Sequence, residues 1–493
     1  MLDHVLHPLN EPLAAGTPRQ LRLYQLLKLA ILDGVLAPGA LLPATRLLAS
    51  HYRIARNSVL YAYQQLVAEG FLNADRGGTR VALLPVMPAT ASAKAQFSPP
   101  AQILSRRASA LQLRCGEPIL PFAPGVPDLN AFPWSSWAGH LQKAWGEVSA
   151  RQLAYAAPGG EPLLRQSVAA FLRARRGVVC TTDQVFIVAG AQMALDACAR
   201  VLADVGDTAW LETPCYPAAR TAMQAAGLNV VNVAVDSCGM VANDALWQSQ
   251  PPKLLYLTPS HQYPLGAVLS LERRLEFLRR IRPGAGWIIE DDYDSEFNHA
   301  RPGQQPVPAI QGLVADAPVV YIGTFSKLLY PGLRIAYMVV PRWAAKVIGE
   351  AIESLYRSGQ AVEQRALARF LESGRLTSHQ RTMAPIYRQR QAVLRRELRA
   401  GFGVSAELLG GAAGLHLTLL LPDSPKDSEI IRQAEELGVT ARALSEYGTP
   451  TQHLNGLVLG YGMAEEKRIP ELVARLRLAY YAAIDAPHNL PAQ

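Results

Sequence analysis

The stretch Gly323-Thr324-Phe325-Ser326-Lys327-Leu328-Leu329-Tyr330-Pro331-Gly332-Leu333-Arg334 decides how the larger part of this chain is read. A hydroxyl stands three residues before Lys327, another directly before it, and a guanidinium seven residues after it. Upstream, Ile288-Ile289-Glu290-Asp291-Asp292-Tyr293 is an apolar run ending in carboxylates and a tyrosine. An amine for a Schiff base, an anion for a pyridinium nitrogen and a cation for a phosphate are together the parts of a pyridoxal 5'-phosphate site. On this reading Lys327 is the catalytic amine and carries the cofactor as an internal aldimine. Arg334 pairs with the phosphate in a bidentate, charge-assisted contact, and Thr324 and Ser326 add hydroxyl donors. Asp291 is the expected partner of the ring nitrogen, with Asp292 and Asp294 competing for that role on spacing alone. Tyr293 is expected to hydrogen-bond the ring oxygen.

Working outward, short apolar runs alternate with helical stretches. Val185-Phe186-Ile187-Val188, Ala209-Trp210-Leu211, Leu254-Leu255-Tyr256-Leu257, Trp287-Ile288-Ile289 and Val319-Val320-Tyr321-Ile322 read as buried strands. Near-continuous apolar strands separated by helices predict an α/β fold with a mainly parallel central sheet. In such sheets ligands sit beyond the carboxyl ends of the strands, and each candidate group falls just after a strand. Gly190-Ala191-Gln192 opens a helix whose free N–H groups are placed for a phosphate. Tyr216 offers a flat side chain to stack on a cofactor ring, or else a core tyrosine.

The 493 residues exceed one ordinary domain. A formal net charge of +8 weakly favours an anionic partner. The five cysteines are odd in number and show no metal-ligand spacing, so no metal is expected and the thiols read as reduced in a cytoplasmic protein. No signal pattern opens the chain, and no apolar run is long enough to span a membrane.

The first part of the chain has a different pattern. Tyr24, Leu27 and Ile31 mark an amphipathic helix, which Gly34 and Pro38-Gly39 stop. A second helix is expected to turn Ala44, Leu47, Leu48 and His51 to one face. A third turns Val59, Ala62, Tyr63 and Leu66 inward and leaves Arg56, Asn57, Ser58 and Tyr61 outward. Two helices joined by a tight turn, the second led by polar side chains, describe a helix-turn-helix. Phe71-Leu72 and Arg80-Val81 can pair as a hairpin around Asp75-Arg76-Gly77-Gly78-Thr79, a wing suited to a phosphate backbone. The predicted boundaries are 17–84 for this DNA-binding domain, 85–115 for a Pro/Ala/Ser-rich linker, and 116–485 for the cofactor domain.

Leu42-Pro43-Ala44-Thr45-Arg46, Ala55-Arg56-Asn57-Ser58-Val59 and Ala62 to Gly70 resemble the winged-helix signature of GntR-type regulators. The resemblance implies that Arg46, Arg56, Asn57 and Ser58, with Arg76, Gly77 and Gly78 of the wing, face double-stranded operator DNA. Ala55 departs from the serine usual there, which removes a helix cap worth about 1 kcal/mol.

The larger part resembles fold-type I aminotransferases over nearly its whole length. Tyr155 to Gly160, Glu212 to Pro217, Thr258 to Gly266 and Glu290 to Phe297 resemble more narrowly the MocR/GabR-type regulators, which join both modules in this order. That resemblance implies a homodimer with a smaller C-terminal subdomain, and Tyr155 reaching the phosphate held by the partner subunit. Two departures bear on turnover. Tyr263-Pro264-Leu265-Gly266 lacks the asparagine of the aminotransferase pattern, and His453 to Tyr461 lacks the arginine that receives a substrate carboxylate, for which Arg220 or Arg442 would have to substitute.

The resulting expectation is a transcriptional regulator whose aminotransferase-like domain binds pyridoxal phosphate and senses it or an amino compound. Two rivals stand beside it: a working aminotransferase with an attached DNA-binding domain, and a large domain that only dimerises. The arginines between Arg381 and Arg399 read as a solvated helix face.

Overall fold

The computed structural model describes residues 5–10, 18–83, 104–109, 111, 121–150, 152, 157–297, 307–357, 359–403, 407–449 and 452–485. The chain divides into two compact units, residues 1–103 and 104–493. Most of the stretch read as linker, and Tyr155, lie outside the described residues.

The smaller unit holds α1 (Arg19–Leu32), α2 (Thr45–His51), α3 (Arg56–Ala68), β1 (Leu72–Asp75) and β2 (Gly78–Val81). Leu23, Leu27 and Ile31 of α1 pack with Val59, Ala62, Tyr63 and Leu66 of α3 and with Leu72 and Val81 of the hairpin. The inward face expected for α3 is the one found. That expected for α2 is corrected: Leu47 is 68% exposed, while Leu48, Ala49 and the following Tyr52 are buried. Tyr52 just past the helix end joins the core and rotates the seven-residue helix toward itself. The hairpin pairs Leu72 with Val81 and Asp75 with Gly78, and the Asp75 carboxylate accepts from the Gly77 N–H at 2.7 Å. α3 starts without a side-chain cap, as Ala55 requires. Leu6 and Leu9, ahead of the expected boundary, also pack on this core.

The larger unit contains α4 (Trp134–Gly146), α5 (Pro162–Arg176), β3 (Val185–Val188), α6 (Ala191–Val201), β4 (Thr208–Thr213), α7 (Pro217–Ala225), β5 (Asn229–Asp236) and β6 (Gly239–Met240). There follow β7 (Leu254–Leu257), α8 (Leu271–Arg280), β8 (Trp287–Asp292), β9 (Val319–Thr324), β10 (Ala336–Val339), α9 (Arg342–Tyr356), α10 (Ala361–Glu372) and α11 (Arg375–Phe402). The eight strands lie in the order β3-β10-β9-β8-β7-β4-β5-β6. The run from β9 through β8, β7 and β4 to β5 is parallel, and β10 is antiparallel to both neighbours.

Alternation explains why these strands are apolar throughout. Leu211, Tyr256, Ile289 and Ile322 pack on one face with Leu195 of α6, Met223 of α7 and Ile348 of α9. Trp210, Leu255, Leu257 and Ile288 pack on the other with Phe277 of α8. A sheet covered on both faces has no side for a polar alternation.

The C-terminal part adds β11 (Glu407–Leu409), β12 (His416–Leu420), α12 (Asp427–Glu436), β13 (Arg442–Ala443), β14 (Gly456–Gly460) and α13 (Ile469–Asp485). Its sheet is antiparallel in the order β11-β12-β14-β13. The segment at Phe122 is tied to this sheet by a hydrogen bond from the Gly460 N–H to the Phe122 carbonyl at 2.9 Å. A helical turn, Arg106–Ser109, lies inside the stretch read as linker, and Arg107 donates to the Ala225 carbonyl at 3.5 Å. The α11 arginines are not one solvated face. Arg381, Arg388, Arg396 and Arg399 are exposed, but buried Arg390 pairs with Asp128 at 2.7 Å and Arg395 donates to the Gly410 carbonyl at 2.7 Å.

One ion pair holds α5 to the central strand. Arg176 Nε donates to Asp292 Oδ2 at 2.7 Å, and the Tyr321 hydroxyl reaches the same oxygen at 2.6 Å. Arg176→Met leaves the Asp292 carboxylate buried without its cation, which should cost about 3–5 kcal/mol. Calorimetry of the full chain should then show a lower unfolding temperature for the larger unit and an unchanged transition for the winged helix.

Candidate functional site

A cavity of about 280 Å³ opens in the larger unit and is lined by residues that follow β4, β7, β8 and β9, by the start of α6, and by Leu415 and His416 from the C-terminal sheet. It contains Lys327, Asp291, Tyr293, Tyr216, Ala191, Gln192, Thr324, Ser326 and Arg334 among its lining residues. Nine of the sequence-derived residues therefore meet in one place. Gly190 stands immediately behind, and Tyr155 cannot be placed.

Lys327 lies three residues past β9, and its Nζ donates to the Gly125 carbonyl at 2.6 Å. Burial pushes its pKa down, opposed by the carboxylates of Asp294 and Asp291. A lysine biased toward its neutral form is the nucleophile that Schiff-base chemistry requires.

The structure separates the three competing aspartates. Side chains alternate along β8, so Asp291 and Asp292 point to opposite faces. Asp292 belongs to the Arg176 pair. Asp294 also lines the cavity, but both of its oxygens lie against His261, with Nδ1 at 3.2 Å. Asp291 enters the cavity: Oδ2 accepts from the Tyr256 hydroxyl at 2.8 Å, while Oδ1 is buried without a partner among the described residues. Burial raises its pKa to about 7. A buried carboxylate oxygen lacking a donor is costly unless something else supplies one, as a protonated ring nitrogen would.

The opposite end of the cavity suits an anion. α6 begins at Ala191 after Gly190, whose φ of 90° favours glycine. A Cβ at Gly190 would stand 2.7 Å from Arg334 Cζ, so only a glycine lets the guanidinium lie against the helix start. Arg334 itself adopts a left-handed φ of 51° and donates to the Ala189 carbonyl at 3.2 Å. The Thr324 hydroxyl accepts from the Ser326 N–H at 3.1 Å and donates to the Ser326 hydroxyl at 3.0 Å, which folds the turn that presents Lys327. Helix N–H groups, two hydroxyls and a guanidinium make a phosphate-type donor set.

Tyr216 meets Tyr263 edge to face with centroids 5.8 Å apart. The Tyr293 hydroxyl donates to the His261 carbonyl at 2.8 Å, so a contact to a ring oxygen requires that donor to turn. Sequence reasoning did not single out Tyr256, His416 or the Gly125 carbonyl. Tyr256 carried a signal, since it is the one polar-tipped residue in an apolar strand; Gly125 carried none. Neither Arg220 nor Arg442 lines the cavity, and Arg220 instead reaches Cys215 Sγ at 3.5 Å.

In the smaller unit Arg46, Arg56, Asn57, Arg76 and Gly77 are exposed, and Ser58 and Gly78 are half-buried. They lie on α2, the first turn of α3 and the hairpin tip. No helix among the described residues is long and apolar enough to cross a membrane.

Residues 136–455 match the family "Aminotransferase class I and II", and residues 19–81 match "Bacterial regulatory proteins, gntR family". The chain is 35% identical over 475 residues to the probable rhizopine catabolism regulatory protein MocR of Rhizobium meliloti, covering 95% of each chain. It is 30% identical to the pyridoxine biosynthesis transcriptional regulator PdxR of Corynebacterium glutamicum, covering 96% of this chain and 98% of that one. Among solved structures, the alpha-aminoadipate aminotransferase LysN of Thermus thermophilus, complexed with N-(5'-phosphopyridoxyl)-L-leucine, superposes with a TM-score of 0.70 at 25% identity, covering 78% of this chain and 98% of that chain. With a gntR-type helix-turn-helix joined to a class I and II aminotransferase domain, and full-length identity to regulators of that build, the chain belongs to the MocR family of helix-turn-helix transcriptional regulators.

Proposed function

We propose that this regulator holds pyridoxal 5'-phosphate on Lys327 and that occupancy of the site by the cofactor, or by an amino compound reacting with it, changes operator affinity. The observation that carries the reading is the unpartnered Asp291 Oδ1 in a cavity that also holds Lys327 and the Gly190–Arg334 cradle. The residues fit the cofactor at three separate points. Lys327 would link to its aldehyde carbon, Asp291 would hold its ring nitrogen protonated, and Arg334 with the start of α6 would take its phosphate. When bound, the cofactor supplies an electrophilic carbon and a ring that withdraws electrons.

The chain's own residues set the limits of the chemistry. Lys327, biased toward neutrality, can also take a proton from a bound amine. Arg334 is the sole guanidinium lining the cavity among the described residues, and it faces the phosphate end. An ordinary amino acid thus finds no second arginine there for its carboxylate, which favours sensing over efficient turnover. The regulatory requirement is that the effector bind two conformations with different affinity, and the coupling then equals that difference.

Three outcomes are expected. Borohydride treatment of the holoprotein followed by peptide mapping should place a pyridoxyl group on Lys327; an adduct on another lysine removes the assignment.

The second outcome concerns pH. The Asp291 pKa of about 7 lies above the ordinary value of about 3.9, so the folded, unliganded chain keeps a proton that the unfolded chain gives up. That contribution favours the fold at low pH and is lost as pH rises through 7. A bound ring nitrogen returns a counter-charge to the carboxylate. Cofactor affinity should be about tenfold higher at pH 8 than at pH 6, because at pH 6 the carboxyl must first lose its proton. Titrations at both pH values measure this, and Asp291→Asn should flatten the difference.

The third outcome tests the regulator itself. Arg56→Ala should weaken operator binding by about 1.5–3 kcal/mol in an electrophoretic or fluorescence assay and leave cofactor absorption unchanged. In the unaltered chain, adding cofactor or an effective amine should shift the same binding curve.

A further inference from the structure

The outward face of α3 carries two exposed amide side chains, Asn57 and Gln64. Val59, Ala62, Tyr63 and Leu66 are buried and fix the inward direction of the helix. At roughly 100° per residue, the direction opposite falls among Asn57, Tyr61 and Gln64, with Leu60 beside them. All of these are exposed, Leu60 by 40% and Tyr61 by 37%. Neither Asn57 nor Gln64 forms a side-chain hydrogen bond among the described residues, so both amides keep their donor and acceptor free. The only cation in α3 is Arg56, its first residue, which lies more than a quarter turn from the centre of this face.

Spacing adds a second constraint. Asn57 and Gln64 are seven residues apart, about 10.5 Å along the helix axis at 1.5 Å per residue. Base pairs follow one another at about 3.4 Å, so a helix lying along the major groove would bring these amides to pairs about three steps apart.

An amide side chain matches adenine. Its N–H donates to N7 and its carbonyl accepts from the N6 amino group. Arginine, the usual reader of guanine, is missing from the centre of the face. Between the amides, Leu60 and the Tyr61 ring present apolar surface of the kind that packs on the thymine methyl group.

We propose that α3 reads two A·T pairs three steps apart in each half-site, with Asn57 on one adenine, Gln64 on the other, and Leu60 and Tyr61 against the intervening thymine methyls. This rests on the operator-binding reading above and adds the identity of the bases. Arg56 and Arg46, off the centre of the face, are left for phosphates.

The experiment is selection of duplexes from a random-sequence pool by the full-length protein, followed by affinity measurements on base-analogue duplexes. The enriched half-site should contain two A·T pairs three steps apart. Replacing either adenine by 7-deazaadenine, which lacks N7, should weaken binding roughly 5- to 150-fold. Asn57→Ala should abolish the penalty at one position only, and Gln64→Ala at the other. Deoxyuridine for thymidine between them should weaken binding to the unaltered protein, and less so to a variant carrying both Leu60→Ala and Tyr61→Ala. Enrichment of G·C at both positions, or 7-deaza penalties that persist in both variants, overturns the proposal while leaving operator binding intact. Failure to enrich any sequence overturns the operator-binding reading and this proposal with it. The analogue measurements on the unaltered protein stand even if a variant folds poorly.

Discussion

The site depends on how β8 disposes of consecutive buried carboxylates. Glu290, Asp291 and Asp292 are all at most 4% exposed, and three adjacent carboxylates cannot share one environment. The pleat divides them. Glu290 accepts N–H groups from Ile310 and Gln311, at 2.8 and 2.9 Å. Asp292 takes Arg176 and Tyr321 on the same side of the strand. Asp291, facing the other way, has the Tyr256 hydroxyl for one oxygen and nothing for the second. Glu290 is satisfied by backbone N–H groups and Asp292 has a cation on one oxygen, whereas the unpartnered oxygen of Asp291 belongs to a residue that lines the cavity. Burial lifts the Asp291 pKa to about 7.

What the sequence made legible follows from the range of each signal. The strands β3, β4, β7, β8 and β9 were readable because both faces are buried and apolar runs are unambiguous. β5 was not, since its polar Asn229 and Asn232 interrupt the run at an outer position of the sheet. Lys327, Asp291 and Arg334 were readable because short spacings after strands constrain where side chains emerge. Choosing Asp291 over Asp292 and Asp294 was not possible from spacing, because the partners that remove the rivals come from Arg176 and His261, far away in the chain. The Gly125 carbonyl on Lys327 is more remote still, 202 residues away, and a backbone group leaves no composition signal. In α2 the helical period was right but its phase was wrong. Tyr52, just past the helix end, is a core residue and sets the rotation.

The same logic separates a sensor from an enzyme. An enzyme of this chemistry must hold the reacting amine, the ring and the far end of its substrate together, since positioning supplies about 7–11 kcal/mol of barrier lowering in well-oriented cases. On the proposed function Asp291 and Arg334 furnish the ring and phosphate ends, while the rest of the wall is mostly tyrosine, threonine, proline, leucine and histidine with one further carboxylate, Asp294, and no second arginine among the described residues. Such a wall can favour one amine over another by shape and by a few hydrogen bonds. Discrimination of that kind is sufficient for regulation, because coupling of about 1–3 kcal/mol between two sites already changes occupancy 5- to 150-fold. It is small beside what turnover demands. On the proposed function, a site furnished for a cofactor but not for the far end of a substrate is better matched to reporting concentration than to converting it, and the unsatisfied Asp291 oxygen would supply the difference between the empty and occupied states on which such a report rests.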